Sequence, residues 1–254
     1  MREAVWLSWE NHRRSREMSK ALDLPFVVIR GPKGSLCYPL VPFLKSLLFL
    51  LKAEEKTIVV QNPSLLLTVL ACALKGIKGF RVIQDLHSYF AQHIETGIGF
   101  RGKVYRLLSL FCIRRADLTV VTNPELKAVI ERLGGRGLVL QDAIPVFPAV
   151  PAVRQVEDRN VVYVCTYSAD EPVSEVIAAA RLLEGETRIS ITGKIPVHAK
   201  TWGLPRNVTL TGFLPEADYL SLLGNADAVM ALTTRDHTLL CGAYEGLAFR
   251  KPLI

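Results

Sequence analysis

The residues best suited to chemistry lie near the end of the chain, in a loop that leads into a predicted helix. The loop runs from Thr233 to Cys241, and Gly242-Ala243 open the helix. Backbone amides at a helix start carry partial positive charge and can bind a diphosphate without a metal ion. Glu245, one turn further on, can accept hydrogen bonds from both hydroxyls of a ribose. This segment therefore predicts a nucleotide site.

Basic residues form a second candidate site. His12-Arg13-Arg14 follows the first predicted strand, in a chain with 31 Lys and Arg against 24 Asp and Glu and a formal charge of +7. A positive field attracts phosphate groups and anionic surfaces. The other basic clusters are interpreted as solvated helix faces: Arg101, Lys103 and Arg106, and Arg114-Arg115. No RNP-like, zinc-finger or helix-turn-helix pattern accompanies them, so a nucleic-acid partner is not predicted.

A glycine-rich segment, Gly97-Ile-Gly99-Phe-Arg-Gly102, has the spacing of a dinucleotide-binding loop. In such a loop the glycines directly follow a strand and open a helix. Here the preceding predicted strand ends near Asp85, about a dozen residues earlier. We therefore predict a connecting loop and no nicotinamide cofactor. The His, Cys and carboxylate residues show no metal-ligand spacing, so no metal site is predicted either.

The most apolar segment, Leu36 to Leu51, bears on membrane association. As a helix it would span about 24 Å, less than the roughly 30 Å of hydrocarbon in a bilayer, and it carries two prolines and Lys45. We predict a helix from near Pro42 that is either buried or attached to a membrane surface. The scattered cysteines and an N-terminus without an apolar signal region predict a cytoplasmic protein. Attachment to the inner face of the membrane is an open alternative.

Short β-branched runs alternate with helical patterns, which predicts the elements that position these residues. In the first half we predict strands at Ala4–Leu7, Phe26–Ile29, Thr57–Val60, Arg81–Gln84, Leu118–Val121 and Gly137–Leu140. Helical patterns lie between them, at 14–22, 42–52, 64–75, 102–115 and 124–133. Strands that alternate with helices pair in parallel through right-handed crossovers, and ligands bind beyond their carboxyl ends.

A proline-rich stretch from Asp142 to Pro151 interrupts this alternation, because proline lacks the donor that a central strand needs. Four further strands are predicted after it, at Val161–Cys165, Arg188–Thr192, Val208–Thr211 and Ala228–Leu232. The predicted fold class is α/β, with two Rossmann-like parallel-sheet domains facing a cleft. Residues 1–145 form the first domain, 146–159 the linker and 160–254 the second domain. Since the chain stops as a strand begins at Pro252, we expect the second domain to be incomplete.

The last 45 residues, Leu210–Ile254, resemble the C-terminal half of a GT-B glycosyltransferase of the family 4 (glycosyl transferases group 1) type. The resemblance is carried by Gly212-Phe-Leu-Pro215, Ala226-Asp227, the turn His237–Glu245 and Arg250-Lys-Pro252. The first domain agrees through Asp85-x-His87 and Arg115-Ala-Asp117-Leu-Thr-Val-Val-Thr122. The resemblance implies an acceptor-side first domain and transfer of a sugar from a nucleotide-diphosphate sugar bound by the second.

The resemblance also implies roles for single residues. Thr238, Gly242 and Glu245 would contact the donor, with Glu245 at the ribose. His87 would approach the donor sugar and assist proton transfer. A UDP-sugar or GDP-sugar would serve as co-substrate, without a cofactor or metal ion. Hexosyl transfer with retention of the anomeric configuration is the expected reaction.

The donor side departs from the family pattern at two places. His237 stands where the family has a glutamate near the sugar hydroxyls. Histidine can also donate to or accept from a hydroxyl, so a donor contact is still predicted. The Arg and Lys that neutralise the leaving diphosphate in the family are missing from Cys165 to Pro172. Lys194 and Arg235 are the predicted replacements.

The acceptor side departs as well, because the family's Gly-rich loop after the first strand is replaced here. The replacing segment contains His12, Arg13 and Arg14, which would suit an acceptor phosphate such as a polyprenyl diphosphate. Together with the apolar segment, this favours a lipid-linked acceptor, as in polysaccharide or glycoconjugate synthesis. Two other functions stay open: a sugar-nucleotide epimerase, and a degenerate GT-B protein that binds a nucleotide or partner without turnover.

Overall fold

The computed structural model of the chain describes residues 3–31, 40–62, 64–86, 99–151, 159–197, 199, 202–236 and 238–254. They form two compact units, Met1–Asp142 (unit 1) and Ala143–Ile254 (unit 2). Two predicted site residues, His87 and His237, lie outside the described residues, as does Gly97. Their predicted roles stay predictions.

Six parallel strands form the sheet of unit 1, in the order β2-β1-β3-β4-β5-β6. Ile58, Val60 and Val82 are fully buried, as expected for β-branched residues of a parallel sheet covered on both faces. The strands are β1 (Ala4–Ser8), β2 (Phe26–Val28), β3 (Thr57–Asn62), β4 (Arg81–Leu86), β5 (Leu118–Val121) and β6 (Gly137–Val139).

The helices of unit 1 follow the predicted pattern closely. Asn123 caps the last of them, accepting a 2.8 Å hydrogen bond from the Leu126 amide, and Gly79 ends the third in a left-handed conformation. The third helix packs on β3 and β4 and contacts both the second and the fourth, so it lies between them. The helices are α1 (Arg13–Ala21), α2 (Leu40–Lys52), α3 (Leu65–Lys78), α4 (Gly99–Arg115) and α5 (Pro124–Arg132).

Unit 2 contains a second parallel sheet, with strand order β10-β7-β8-β9. The fully buried side chains of Tyr163, Ile191 and Leu223 contribute to its core. Leu253 adds a parallel bridge to Val229 of β10. The strands are β7 (Arg159–Tyr163), β8 (Thr187–Thr192), β9 (Val208–Gly212) and β10 (Ala228–Met230), and the helices are α6 (Val173–Leu182), α7 (Glu216–Gly224) and α8 (Cys241–Ala248).

The structure confirms the predicted α/β class with two parallel sheets, and each predicted strand is present. One local prediction is wrong, because α4 begins at Gly99, inside the predicted connecting loop and three residues before the predicted helix start at 102. The end of the glycine-rich segment is therefore helical. Within the described ranges, no helix has the length and hydropathy needed to cross a bilayer.

Candidate functional site

The candidate donor site lies at the carboxyl edge of the unit 2 sheet. Because all four strands are parallel, the segments that follow β7, β8 and β10 leave the sheet at this same edge. They carry the predicted donor residues Lys194, Arg235 and Thr238, and α8 begins directly after them with Cys241 and Gly242. The sheet topology therefore brings together residues that are far apart in the sequence.

Helix α8 lies unusually close to the sheet, and two glycines allow this. A Cβ atom on Gly242 would lie 2.6 Å from the Cβ of Val164, which follows β7. A Cβ atom on Gly246 would lie 2.6 Å from Leu253 and 3.0 Å from Val229. Any larger residue would push the helix away from the sheet. The first turn of α8 is thereby held beside the end of β7, where its amides can bind an anion.

Glu245, the predicted ribose contact, is half-buried on α8. The hydroxyl of Tyr219, on α7, donates a hydrogen bond to Oε2 of Glu245. A hydrogen bond to a carboxylate is stronger than one between neutral groups, so it fixes the rotamer of Glu245. Tyr219 is a site residue that the sequence did not reveal, since 26 positions separate it from its partner.

Asp170, in the segment after β7, organises the loop that follows β10. Its carboxylate accepts hydrogen bonds from the hydroxyls of Thr233 (2.7 Å) and Ser168 (2.6 Å). Its backbone carbonyl accepts one from the Thr234 amide at 2.8 Å. Burial by itself raises the pKa of Asp170, but these hydrogen bonds and the charge of Arg235 outweigh it, so the pKa lies below its usual value. Sequence reasoning missed this residue as well.

The predicted donor-binding cations differ in their surroundings. The guanidinium of Arg235 lies 2.7 Å from the carboxylate of Asp170, so its charge is partly compensated. Lys194 is exposed and follows Gly193 at the end of β8. Thr238 donates a hydrogen bond to the Asp236 carbonyl at 3.1 Å. Contacts of these three residues with a donor remain predictions.

A carboxylate occupies the segment where the resembling family places its Arg and Lys. Glu171 accepts hydrogen bonds from the amides of Thr166 (2.9 Å) and Ser168 (2.8 Å) and from the Thr166 hydroxyl (3.0 Å). The amides that could bind a phosphate here are therefore bound to the protein's own side chain. Beside this segment, a cavity of about 350 Å³ lies between Tyr167, Trp202 and the start of α6.

Arg14, a predicted acceptor residue, is buried inside unit 1. Its Nε donates to Asp85 on β4 at 3.1 Å, its Nη2 donates to the Leu140 carbonyl at 2.9 Å, and its Nη1 pairs with Asp142. Burial favours the neutral guanidine, but the two carboxylates outweigh it, so the pKa of Arg14 is raised. Arg14 thus ties α1 to β4 and to the segment after β6. Its contact with an acceptor stays a prediction, as do those of the half-buried His12 and Arg13.

Unit 1 has a cavity of about 480 Å³ at the carboxyl edge of its sheet. The indole of Trp9 forms part of its wall and is held by a 2.9 Å hydrogen bond to Ser46 of α2. Burial raises the pKa of Tyr105, on another wall, to about 12, so its phenol is neutral at physiological pH. The lining is mostly apolar and comprises Trp9, Glu10, Ser64, Leu65, Leu66, Phe100, Arg101, Val104, Tyr105 and Leu108.

Similarity to known proteins is found in structure and not in sequence. No protein-family model matches the chain. No curated protein matches it either. Among solved structures, Alr3699/HepE of Anabaena, solved in complex with UDP and glucose, matches with a TM-score of 0.67 and 15% identity over 98% of this chain and 71% of that one.

Two further solved structures match the chain over almost its whole length. Sucrose-phosphate synthase of Thermosynechococcus elongatus has a TM-score of 0.73 and 14% identity over 99% of this chain and 80% of that one. The lipopolysaccharide outer core galactosyltransferase WaaB has a TM-score of 0.63 and 11% identity over 98% and 79%. The chain has the GT-B fold. At such identities the similarity shows the fold alone, so the family 4 subtype stays a prediction.

Proposed function

We propose that this chain is a glycosyltransferase that takes a hexose from a UDP-sugar bound at the carboxyl edge of unit 2. The observation that carries the proposal is the position of Glu245, held by Tyr219 one turn after the glycine-packed start of α8. This arrangement offers amides for a diphosphate and a fixed carboxylate for ribose hydroxyls. The UDP in structures of Alr3699/HepE favours UDP over GDP as the donor nucleotide.

In the proposed reaction an acceptor hydroxyl forms a bond to the anomeric carbon of the sugar. The bond from that carbon to the diphosphate oxygen breaks, and UDP leaves with the bonding electrons. The α8 amides, Lys194 and Arg235 stabilise the charge that develops on the diphosphate. The acceptor proton passes to the departing diphosphate oxygen with the assistance of His87, and the product retains the anomeric configuration, as the resemblance to family 4 implies.

The unit 1 cavity supports an amphiphilic, lipid-linked acceptor. Its walls are mostly apolar, and Arg101 supplies a cation at the edge. A cavity of this kind fits an acceptor with an apolar part and an anionic group near the hydroxyl that reacts. Such acceptors occur in polysaccharide and glycoconjugate synthesis, at a cytoplasmic membrane surface.

The donor part of the proposal is tested by binding and by turnover. Thermal unfolding is measured with UDP, GDP, UDP-glucose and UDP-galactose, and release of free UDP is followed with a short-chain polyprenyl phosphate saccharide. UDP at 100 times its Kd is expected to stabilise the protein by about 2.7 kcal/mol. Glu245→Gln should weaken UDP binding about tenfold or more, because a neutral amide is a poorer acceptor for ribose hydroxyls.

A matched control separates this effect from a general change of charge. Glu186→Gln alters an exposed glutamate between α6 and β8 and should bind UDP like the unchanged protein. Equal UDP binding by the two variants would refute the role of Glu245. Absence of stabilisation by every nucleotide and sugar nucleotide would refute the donor site altogether.

One observation favours a second function, that of a GT-B protein that binds a nucleotide without turnover. Glu171 fills the segment where the resembling family neutralises the leaving diphosphate. A protein lacking that neutralisation would bind UDP but would not speed departure of the diphosphate. Stabilisation by UDP together with no release of UDP from any sugar nucleotide would favour this function over the first.

A further inference from the structure

The outward sides of α2, α3 and α4 form a surface, which we call the helical face, that the donor site does not use. The three helices lie side by side, with α3 in contact with both neighbours. Each of them exposes large apolar side chains, among them Leu48 (59% exposed) on α2, Ile77 (81%) on α3 and Phe100 (83%) on α4. Single exposed apolar residues are ordinary, but their presence on three adjacent helices makes this side of unit 1 a candidate interaction surface.

The helical face is strongly cationic as well as apolar. The three helices contain nine Lys and Arg and not one Asp or Glu. Unit 1 as a whole has 21 basic residues against 12 acidic ones, whereas unit 2 has 10 against 12. The positive charge of the chain therefore belongs entirely to the unit that carries this face.

Several of the cations are available to a partner. Lys45, Lys103 and Arg106 are exposed, and no carboxylate of the described residues lies within ion-pair distance of them. The acidic residues that follow these helices lie past their C-terminal ends, where Asp117 pairs with Lys75 at 2.7 Å. On α2, Lys45 is adjacent in sequence to Leu44 and lies three positions before Leu48, so an exposed cation and exposed leucines are neighbours on this helix.

We propose that the helical face docks on an anionic lipid bilayer. The exposed leucines and phenylalanine enter the boundary between headgroups and acyl chains, while the Lys and Arg side chains bind lipid phosphates. A second copy of the chain fits less well, because a symmetric contact would bring two sets of nine cations together. Nucleic acid would account for the cations but leaves the apolar residues exposed to water.

Docking of the helical face on a bilayer would also place the source of the acceptor next to unit 1. This part of the inference rests on the proposed function. Phe100 and Val104 belong both to the helical face and to the wall of the unit 1 cavity. A bilayer bound to the face therefore lies beside the cavity. A lipid-linked acceptor could enter the cavity from the bilayer surface without leaving the lipid phase completely.

Vesicle flotation tests the proposal on the whole chain. Vesicles of equal parts phosphatidylglycerol and phosphatidylcholine should bind the protein, whereas vesicles of phosphatidylcholine alone should bind it at least tenfold more weakly. A triple variant with Lys45→Gln, Lys103→Gln and Arg106→Gln should bind these vesicles about one hundredfold more weakly. The reason is that each basic residue near an anionic surface contributes about a factor of five to the affinity. Raising the salt concentration to about 1 M should have a similar effect, because the screening length falls to about 3 Å.

Two matched variants complete the test. The control Lys20→Gln, Arg159→Gln and Arg206→Gln removes the same charge from exposed positions elsewhere and should change binding less than threefold. Leu44→Gln with Leu48→Gln keeps the charge but removes apolar side chains from the face, and should weaken binding at least tenfold. Circular dichroism and thermal unfolding confirm that each variant is folded.

Four outcomes would overturn the proposal. The first two are equal weakening of vesicle binding by the Lys45, Lys103 and Arg106 variant and by its control, and equal binding to both kinds of vesicle. The other two are preferential binding of RNA with no binding of vesicles, and a dimer that Leu44→Gln with Leu48→Gln converts to a monomer. UDP release with a water-soluble acceptor should be unchanged in both face variants. Failure of vesicle binding with that activity intact contradicts the docking surface alone, whereas vesicle binding without any UDP release contradicts the proposed function alone.

Discussion

Arg14 and Asp170 show how single charged residues hold together the edges of the sheets where ligands are expected. The side chain of Arg14 is 3% exposed and joins two carboxylates, while Asp170 joins two loops of unit 2. Arg14 is buried and Asp170 is half-buried, so protein partners compensate much of the charge on each. Their net contribution to the stability of the fold therefore depends on the presence of every partner.

Removing Arg14 should be strongly destabilising. Arg14→Met leaves Asp85, which is fully buried, without its guanidinium partner and should lower the free energy of unfolding by about 3–5 kcal/mol. Urea unfolding measures this change. Adding Asp85→Leu to Arg14→Met should recover part of the loss, because the buried carboxylate that lost its guanidinium is then gone as well. The control Arg16→Met, whose ion pair with Glu17 is solvent-exposed, should cost less than about 0.5 kcal/mol.

Asp170 should give a pH-dependent contribution to stability. Its folded pKa is depressed, so the stabilisation is present above the ordinary aspartate pKa of about 3.9 and is lost as the pH falls through the folded pKa. At pH 7, Asp170→Asn should be about 1–2 kcal/mol less stable than the unchanged protein, because hydrogen bonds to a charged group are replaced by weaker ones.

Thermal unfolding from pH 7 down to pH 3 measures the difference between the two proteins. The difference should shrink toward the acid end of this range. Asp236→Asn, an exposed change in the loop after β10, is the control and should stay within about 0.5 kcal/mol throughout. A difference that grows on acidification would contradict the depressed pKa.

At the scale of elements, the position of α8 depends on close contact between its backbone and the sheet. Gly242→Ala would place a Cβ atom 2.6 Å from Val164 and should displace the helix, lowering stability by about 1–3 kcal/mol and weakening UDP binding. Differential scanning calorimetry and nucleotide titration measure the two effects. Gly76→Ala in α3 is the opposite case, because the neighbouring atom nearest to the added Cβ, Nη2 of Arg115, lies 4.0 Å away. This substitution should stabilise the protein by up to about 1 kcal/mol.

Elements were predictable from the sequence to the extent that their signals are local. The run Thr57–Val60 predicts a buried strand from its β-branched residues, and the observed strand is Thr57–Asn62. The start of α8 was predicted from Gly242 and Glu245. The partners of the site residues were not predictable in the same way. Arg14 and Asp85 are 71 positions apart, and Thr233 and Asp170 are 63 apart. Such pairs depend on which strands become neighbours, and no spacing in the sequence encodes that.

At the scale of the whole molecule, the net charge of +7 conceals an uneven distribution. Unit 2, with the candidate donor site, has slightly more acidic than basic residues, and the excess of base belongs to unit 1. The basic clusters on α4 were interpreted from sequence as solvated helix faces, and their side chains are indeed exposed. Only the packing of α2, α3 and α4 into one layer shows that these cations share a surface with exposed apolar residues.

The placement of the three tryptophans gives the protein its own optical reporters. Trp6 is buried in the β1 strand, Trp9 forms part of the wall of the unit 1 cavity, and Trp202 borders the smaller cavity of unit 2. Their emission therefore divides among a constant signal from the core and two signals that respond to separate cavities. Replacing Trp9 or Trp202 by phenylalanine assigns each spectral change to one unit, so that occupancy of either cavity can be followed without a label.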